Sequence, residues 1–315
     1  MPPLATYFVD NLSPFVFRIG ENAGVRWYGL SYFLGFVLGA LLLRWLSRRG
    51  YCALSPAKVV DFITYAALFG VILGGRLGYL LFYRLHQTIA DPLSIVKVWD
   101  GGMSSHGGII GLTLFTLFYA RWHRLSWLSL ADNLAVVAPV GLFLGRCANF
   151  INGELYGRAT TVPWAMQFPK ELLDFPEQGN RALSMTQAIE PSIRSLDVLI
   201  EQARHDPGLL PVLRATLTPR HPSQLYEALL EGAFLFLCLW FLRVRTKQPR
   251  GMLAGLFCLL YAAVRFIGEN FREPDAPLTG PFTRGQALSA ILVLMGVSFV
   301  AYARKTRCFE AAQSQ

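Results

Sequence analysis

The sequence predicts an all-α polytopic membrane protein of seven transmembrane helices with a small external head of mixed α/β structure, N-terminus outside and C-terminus cytoplasmic. Three observations predict it. Of 315 residues, 53% are hydrophobic and only 16% charged, with a mean hydropathy of +0.39, which is too apolar to dress a soluble globule. The apolar residues gather in blocks long enough for a bilayer core, which takes roughly 20 residues of helix. The Lys and Arg gather between those blocks, and mostly on one side of them.

In chain order, the start Met1-Pro2-Pro3-Leu4-Ala5-Thr6-Tyr7 lacks the basic region that precedes a signal peptide's apolar core, so no cleaved signal is expected. Spans are expected at approximately 27 to 46, 60 to 83, 107 to 122, 130 to 149, 226 to 243, 251 to 268 and 285 to 303. The fourth carries Asp132 and Asn133 near its start and Gly145-Arg146 near its end. Arg44, Arg48, Arg49 and Lys58 follow the first span, Arg121 and Arg124 the third, Arg243, Arg245, Lys247 and Arg250 the fifth, and Arg304, Lys305 and Arg307 the seventh. Those loops are therefore cytoplasmic. The opposite side carries Lys97 in one tract, and Arg272 and Arg284 beside Glu273 and Asp275 in another. The net charge of +9 is thus a topology signal, not a nucleic-acid footprint.

The tract from about 150 to 221 is polar and Pro-bearing, too long for a turn, and expected to form the external head, an insertion in a single integral membrane domain of residues 1–315. Thr161 to Phe168 alternates enough for a short strand, and the tail Glu310 to Gln315 is expected to fray. Glycines four apart, Gly35 and Gly39, then Gly70, Gly74 and Gly78, suit close helix packing in lipid. The five cysteines form no CxxC pair, and neither a disulfide framework nor a zinc site is expected. No internal repeat is visible, which argues against the doubled plan of many transporters.

Ionisable residues at membrane depth cost roughly 2.5–3.5 kcal/mol each at a helix centre and must face protein or water. They cluster in four places. The sixth span carries Tyr261, Arg265, Gly268, Glu269 and Arg272 on one helical face, a stripe whose blander reading is a self-neutralising Arg265 to Glu269 pair. Residues 145 to 158 pack Arg146, Asn149, Asn152, Glu154 and Gly157 at a membrane exit; an Arg fork suits a phosphate, and the amides add donors. An anchoring role explains Arg146 but not the two Asn and Glu154. Ser104-Ser105-His106-Gly107-Gly108 opens the third span, where His106 can take a proton and a Ser can cap the helix. Trp27-Tyr28-Gly29 and Arg220-His221-Pro222-Ser223-Gln224-Leu225-Tyr226-Glu227 complete the set; the first is most simply an aromatic anchor, while the second runs a polar string into an apolar helix that also bears Glu231. All four places fall on the external side. Two deep Arg there suit a phosphodiester lipid, and a His suits proton removal from a nucleophile.

With these residues in hand, the chain resembles the prolipoprotein diacylglyceryl transferase family of bacteria. The resemblance rests on Gly145-Arg146-x-Ala148-Asn149-Phe150-Ile151-Asn152-x-Glu154-x-x-Gly157, on His106-Gly107-Gly108, on His221-Pro222-Ser223-Gln224-Leu225-Tyr226-Glu227, and on the stripe ending Phe271-Arg272-Glu273-Pro274-Asp275. Many members carry Gly where this chain has Ala148, and residues 170 to 220 match no motif. The resemblance implies a seven-span fold with an external head and no metal or organic cofactor. It implies transfer of diacylglyceryl from phosphatidylglycerol to the lipobox cysteine of prolipoprotein signal peptides, giving a thioether and glycerol phosphate. Partners would be those two substrates and the bilayer, with no nucleic acid, and the site would lie on the periplasmic side of the cytoplasmic (inner) membrane. It also marks Arg146, Arg265, Tyr28, Asn149, Glu154, Gly157, Tyr261, Glu269 and Arg272 as functional. His106, Arg146 and Arg265 are the expected catalytic residues; the others, with Asn152, are expected to bind substrate. The serious alternative is another phospholipid-dependent membrane transferase with a non-protein acceptor; a transporter would place its polar residues along a path to both faces.

Overall fold

A computed structural model of the chain describes residues 7–19, 23–91, 93, 101–274 and 284–309. It is mostly helical. The N-terminal part holds β1 (Phe8–Val9), β2 (Phe15–Arg18) and β3 (Gly24–Arg26), followed by α1 (Trp27–Arg48), α2 (Pro56–Tyr83), α3 (Leu85–Ala90), α4 (Ser105–Trp122) and α5 (Trp127–Ile151). Next come β4 (Met166–Gln167) and the short helices α6 (Glu171–Asp174), α7 (Pro176–Gln187), α8 (Leu196–Gln202) and α9 (Leu210–Thr216). Three long helices close the chain: α10 (Ser223–Arg245), α11 (Met252–Glu269) and α12 (Arg284–Thr306). The tail expected to fray, Lys97 and Asp275 lie outside the described residues.

Among the described residues six helices are long and apolar enough to cross a membrane: α1, α2, α5, α10, α11 and α12. The chain is a multi-pass membrane protein. The third expected span, 107 to 122, coincides with α4, an 18-residue helix that is not one of the six. Its polar opening, Ser105-His106-Gly107-Gly108, and Arg121 near its end dilute the apolar centre.

The chain forms two compact units: Met1–Gly35 with Pro139–Leu235 and Leu259–Leu294, and Phe36–Ala138 with Phe236–Cys258 and Met295–Gln315. In the second unit, Leu43, Leu54, Val59, Phe62, Tyr119 and Leu130 form a buried cluster. Helices α2 and α4 pack backbone to backbone. A methyl group on Gly74 would lie 2.7 Å from both Gly107 O and Gly111 Cα, so the small-residue spacing read in the sequence is a packing device here. Residues Ala66–Ile72 of α2 form a π turn within the helix, and Gly70 in it sits against Leu112. Asp132, the polar intrusion in α5, caps α11: its carboxylate accepts from Gly251 N and Ala254 N, both at 2.8 Å. Asn133 beside it donates to Tyr51 O at 2.9 Å and Ser129 O at 2.7 Å. The Asp132 carboxylate and the Asn133 Nδ2 are thus satisfied inside the protein, as membrane depth demands.

In the first unit β1 pairs in parallel with β4, Phe8 opposite Met166, while β2 and β3 form an antiparallel hairpin. Val9, Leu172, Ala182, Ile193, Leu199, Leu209 and Leu213 make a buried core for the segment between α5 and α10. That segment is more helical than expected. The strand expected over Thr161 to Phe168 shrinks to Met166–Gln167, because Pro163 cannot donate to a ladder and Val162 to Ala165 closes a turn, Ala165 N to Val162 O at 3.0 Å.

Candidate active site

The first unit gathers six charged side chains from α5, α10, α11 and the residues just after α11. Arg146, in the last two turns of α5, donates from Nε (3.1 Å) and Nη2 (2.9 Å) to Glu231 Oε2, and its Nη1 lies 2.9 Å from Glu227 Oε2. Arg265 on α11 donates from Nη1 to Glu227 Oε1 at 2.8 Å and Glu231 Oε1 at 3.0 Å, and from Nη2 to Glu269 Oε1 at 2.5 Å. Arg272 Nη1 lies 3.4 Å from Glu227 Oε1. Glu227 and Glu231 are fully buried, and burying a charge is costly unless it is paired, as both are here. Three Arg and three Glu balance.

The local fold explains the convergence. Glu227 immediately precedes a π turn, Ala228–Phe234, inside α10, and Glu231 lies within it; Gly232 in that turn lets α5 approach at Phe143: a methyl there would lie 2.5 Å from Phe143 Cβ. Arg265 and Glu269 share one face of α11 by their spacing of four, and Tyr261 stands one turn earlier on it. The pair read in the sequence as self-neutralising exists, but Arg265 is also shared by both α10 carboxylates. Among the described residues the named hydrogen bonds use two of the five N–H donors of Arg146 and three of those of Arg265, with an ion-pair contact from Arg146 Nη1 to Glu227 Oε2 besides.

A second constellation in the same unit joins Tyr28, Asn149 and Glu154. Tyr28 donates its hydroxyl to Glu154 Oε1, Asn149 Nδ2 donates to Tyr28 Oη, and Asn149 Nδ2 also reaches Glu154 Oε1 at 3.1 Å. Lys170 Nζ stands 3.6 Å from Glu154 Oε2. Two left-handed residues, Gly153 (φ 63°) and Leu155 (φ 56°), turn the chain sharply at the end of α5 and bring Glu154 back beside Asn149. Gln224 Nε2 holds Glu154 O at 2.8 Å, which ties the turn to α10. Asn152 is buried, and its Oδ1 has no hydrogen-bond partner among the described residues. Gly157 is enclosed by backbone: a methyl there would lie 2.5 Å from both His221 O and Phe271 O.

His106 belongs to the second unit. It is exposed in the first turn of α4 and makes no side-chain hydrogen bond among the described residues. Ser104 caps that turn by accepting from Gly107 N at 3.2 Å, as the sequence suggested for a Ser at this start. In the first unit, His221 packs edge-on against Tyr226 and Phe271, and burial lowers its pKa, so its ring is neutral near pH 7.

The expected residues Arg146, Arg265, Glu269 and Arg272 therefore come together, and Tyr28, Asn149 and Glu154 form a second group in the same unit. Sequence reasoning counted Glu227 and Glu231 among the polar residues of the external side but gave neither a role in the site, although two acids four apart on an apolar helix were the visible signal.

A family model described as prolipoprotein diacylglyceryl transferase matches residues 14–302, nearly the whole chain and all of these groups. The chain belongs to that family. Curated relatives named phosphatidylglycerol–prolipoprotein diacylglyceryl transferase include one from Bdellovibrio bacteriovorus, 40% identical over 92% of this chain and 92% of the relative. Another, from Serratia proteamaculans, is 41% identical over 93% of this chain and 94% of its own length. A third, from Sodalis glossinidius, is 42% identical over 92% of each. Both Arg146 and Arg265, with the carboxylates that hold them, lie inside the part of the chain that matches the diacylglyceryl transferase model.

Proposed function

We propose that this protein transfers the diacylglyceryl group of phosphatidylglycerol to the lipobox cysteine thiol of a prolipoprotein signal peptide. The observation that carries the reading is the pair Arg146 and Arg265, clamped by buried Glu227 and Glu231. A guanidinium fixed in this way is aimed before substrate arrives, and preorganised donors stabilise charge as it develops on a leaving group. In the reaction the thiol gives up its proton, and its sulfur attacks the glycerol carbon that bears the phosphate ester. The C–S bond forms, the C–O bond breaks, and the electron pair leaves on glycerol phosphate. Arg146 and Arg265 hold that phosphate. His106 is the proposed base, since a thiol of pKa near 8.5 needs only modest help from an imidazole. Tyr28, Asn149, Asn152, Glu154, Gly157, Tyr261, Glu269 and Arg272 shape the substrate site.

The Lys and Arg bias of the loops supports a protein of the bacterial cytoplasmic (inner) membrane with its N-terminus outside, its C-terminus inside and the site towards the periplasm. In this reading α4 is a seventh span, and residues 150–221 are a head on one integral membrane domain.

The test uses purified protein in detergent with phosphatidylglycerol and a synthetic lipobox peptide, following peptide mass and released glycerol phosphate beside Arg146→Ala. A mass gain of one diacylglyceryl unit that needs both the peptide cysteine and Arg146 supports the reading. Consumption of phosphatidylglycerol without a thioether points to a non-protein acceptor, and no consumption by folded protein overturns it.

A further inference from the structure

Outside the charged cluster, a second buried Arg is held as tightly. Arg220 lies between the rings of Tyr156 and Phe175, 4.8 and 4.9 Å from their centroids. Its Nε and Nη2 lie 2.9 and 3.1 Å from the two oxygens of fully buried Glu171, and its Nη1 donates to Glu273 Oε2 at 2.8 Å and Gly157 O at 3.2 Å. Burial works against its charge, but the hydrogen bond to Glu171 and the charges of Glu171 and Glu273 together outweigh this and its pKa is raised.

Glu273 is the informative partner. Residues 156 to 158 run between two other segments: Gly157 N donates to His221 O at 2.9 Å, Arg158 N to Phe271 O at 2.8 Å, and Glu273 N to Tyr156 O at 3.2 Å, with Gly157 opposite Arg272 in an isolated antiparallel bridge. Successive side chains of an extended segment point to opposite faces. Arg272 points to Glu227, and Glu273, next in sequence, points the other way to Arg220. A slip of one residue would exchange them and set Glu273 against Glu227, acid against acid.

We propose that Glu273, held by Arg220, is a positioning residue that sets the register in which Arg272 enters the reaction centre. The inference rests on the proposed function, in which Arg272 belongs to that centre. Glu273 touches no reacting atom; its side chain is 38% exposed, so removing it opens no buried cavity.

The experiment measures diacylglyceryl transfer by the full-length protein carrying Glu273→Ala, Glu273→Gln, Arg272→Ala and the double change Glu273→Ala with Arg272→Ala, with the thermal midpoint in detergent recorded for each. Expected is a loss of about tenfold in kcat for Glu273→Ala, a smaller loss for Glu273→Gln, which keeps an acceptor for Arg220, and no further loss when Glu273→Ala is added to Arg272→Ala. A purely structural role would instead lower the midpoint and multiply with Arg272→Ala. That multiplication, or Glu273→Ala activity within twofold of the parent, overturns the inference and leaves the proposed function standing. Full turnover by Arg272→Ala removes Arg272 from the reaction centre and the inference with it.

Discussion

Glu231→Gln subtracts one negative charge from the site without changing its shape. Glu231 Oε2 receives two donors from Arg146, at 2.9 and 3.1 Å, and Oε1 receives one from Arg265 at 3.0 Å. A carboxamide has one carbonyl to offer, so its NH2 must face the N–H groups of one Arg. At least one charge-assisted bond is lost, worth roughly 1.5–3 kcal/mol, and the Arg that loses it is free to turn from the phosphate position. Taking about 3 kcal/mol of lost transition-state stabilisation gives a fall of roughly 100-fold in kcat/KM. The assay is initial-rate release of glycerol phosphate against phosphatidylglycerol concentration, with the thermal midpoint in detergent as the folding control. Activity within threefold of the parent at an unchanged midpoint would refute the claim that the α10 carboxylates aim the two guanidiniums. A loss of activity that tracks a lost fold would assign Glu231 to stability alone.

Tyr28→Phe removes the hydroxyl that donates to Glu154 and accepts from Asn149, and should lower turnover by about 10- to 100-fold, since two polar partners lose a shared neighbour; peptide mass shift over time measures it. Gly157→Ala drives a methyl to 2.5 Å from two carbonyl oxygens that belong to backbone and cannot swing aside, so its cost should exceed about 2 kcal/mol and appear as a lowered thermal midpoint together with lost activity. Burial raises the Asp10 carboxyl from 3.8 to about 7 against the pull of Leu12 N, Arg204 and Lys170. Between those values the folded chain binds the proton and the unfolded chain does not, so stability should be greatest below about pH 4 and fall as pH rises through about 7, by up to about 4 kcal/mol from this group. Asp10→Asn should flatten that slope and raise the midpoint at pH 8, read by thermal melts across pH.

The long helices were legible because lipid imposes a simple rule: twenty apolar residues in a row have few other uses. Arg146, Asn149 and Glu154 were legible for the opposite reason, since such groups are expensive where they stand. What escaped was whatever depends on distant partners. Asp132 looked like a flaw in α5 until Gly251 N and Ala254 N appeared as its ligands more than a hundred positions away. Nothing local in Gly157 announces that two carbonyls from other segments press on it. The β4 strand kept two residues of the eight that alternate, because a Pro donor gap overrides hydrophobic alternation. Glu227 and Glu231 stood in view, but their spacing is also that of any exposed helical pair, and only their full burial distinguishes them.

The π turn in α10 makes the helix intolerant of a change in length. A π turn holds one residue more than an α-helical turn, so deleting a single residue within Ala228–Phe234 lets the segment relax to a regular helix. The deletion would leave hydropathy and span length almost untouched, yet taken from between Glu227 and Glu231 it would bring the two carboxylates from four positions apart to three and change their spacing around the helix. Glu227 could then no longer meet the guanidiniums on the azimuth that Glu231 keeps. A residue count, as much as residue chemistry, keeps the two carboxylates on one bearing, and in this stretch of α10 an indel would be as disabling as a charge reversal.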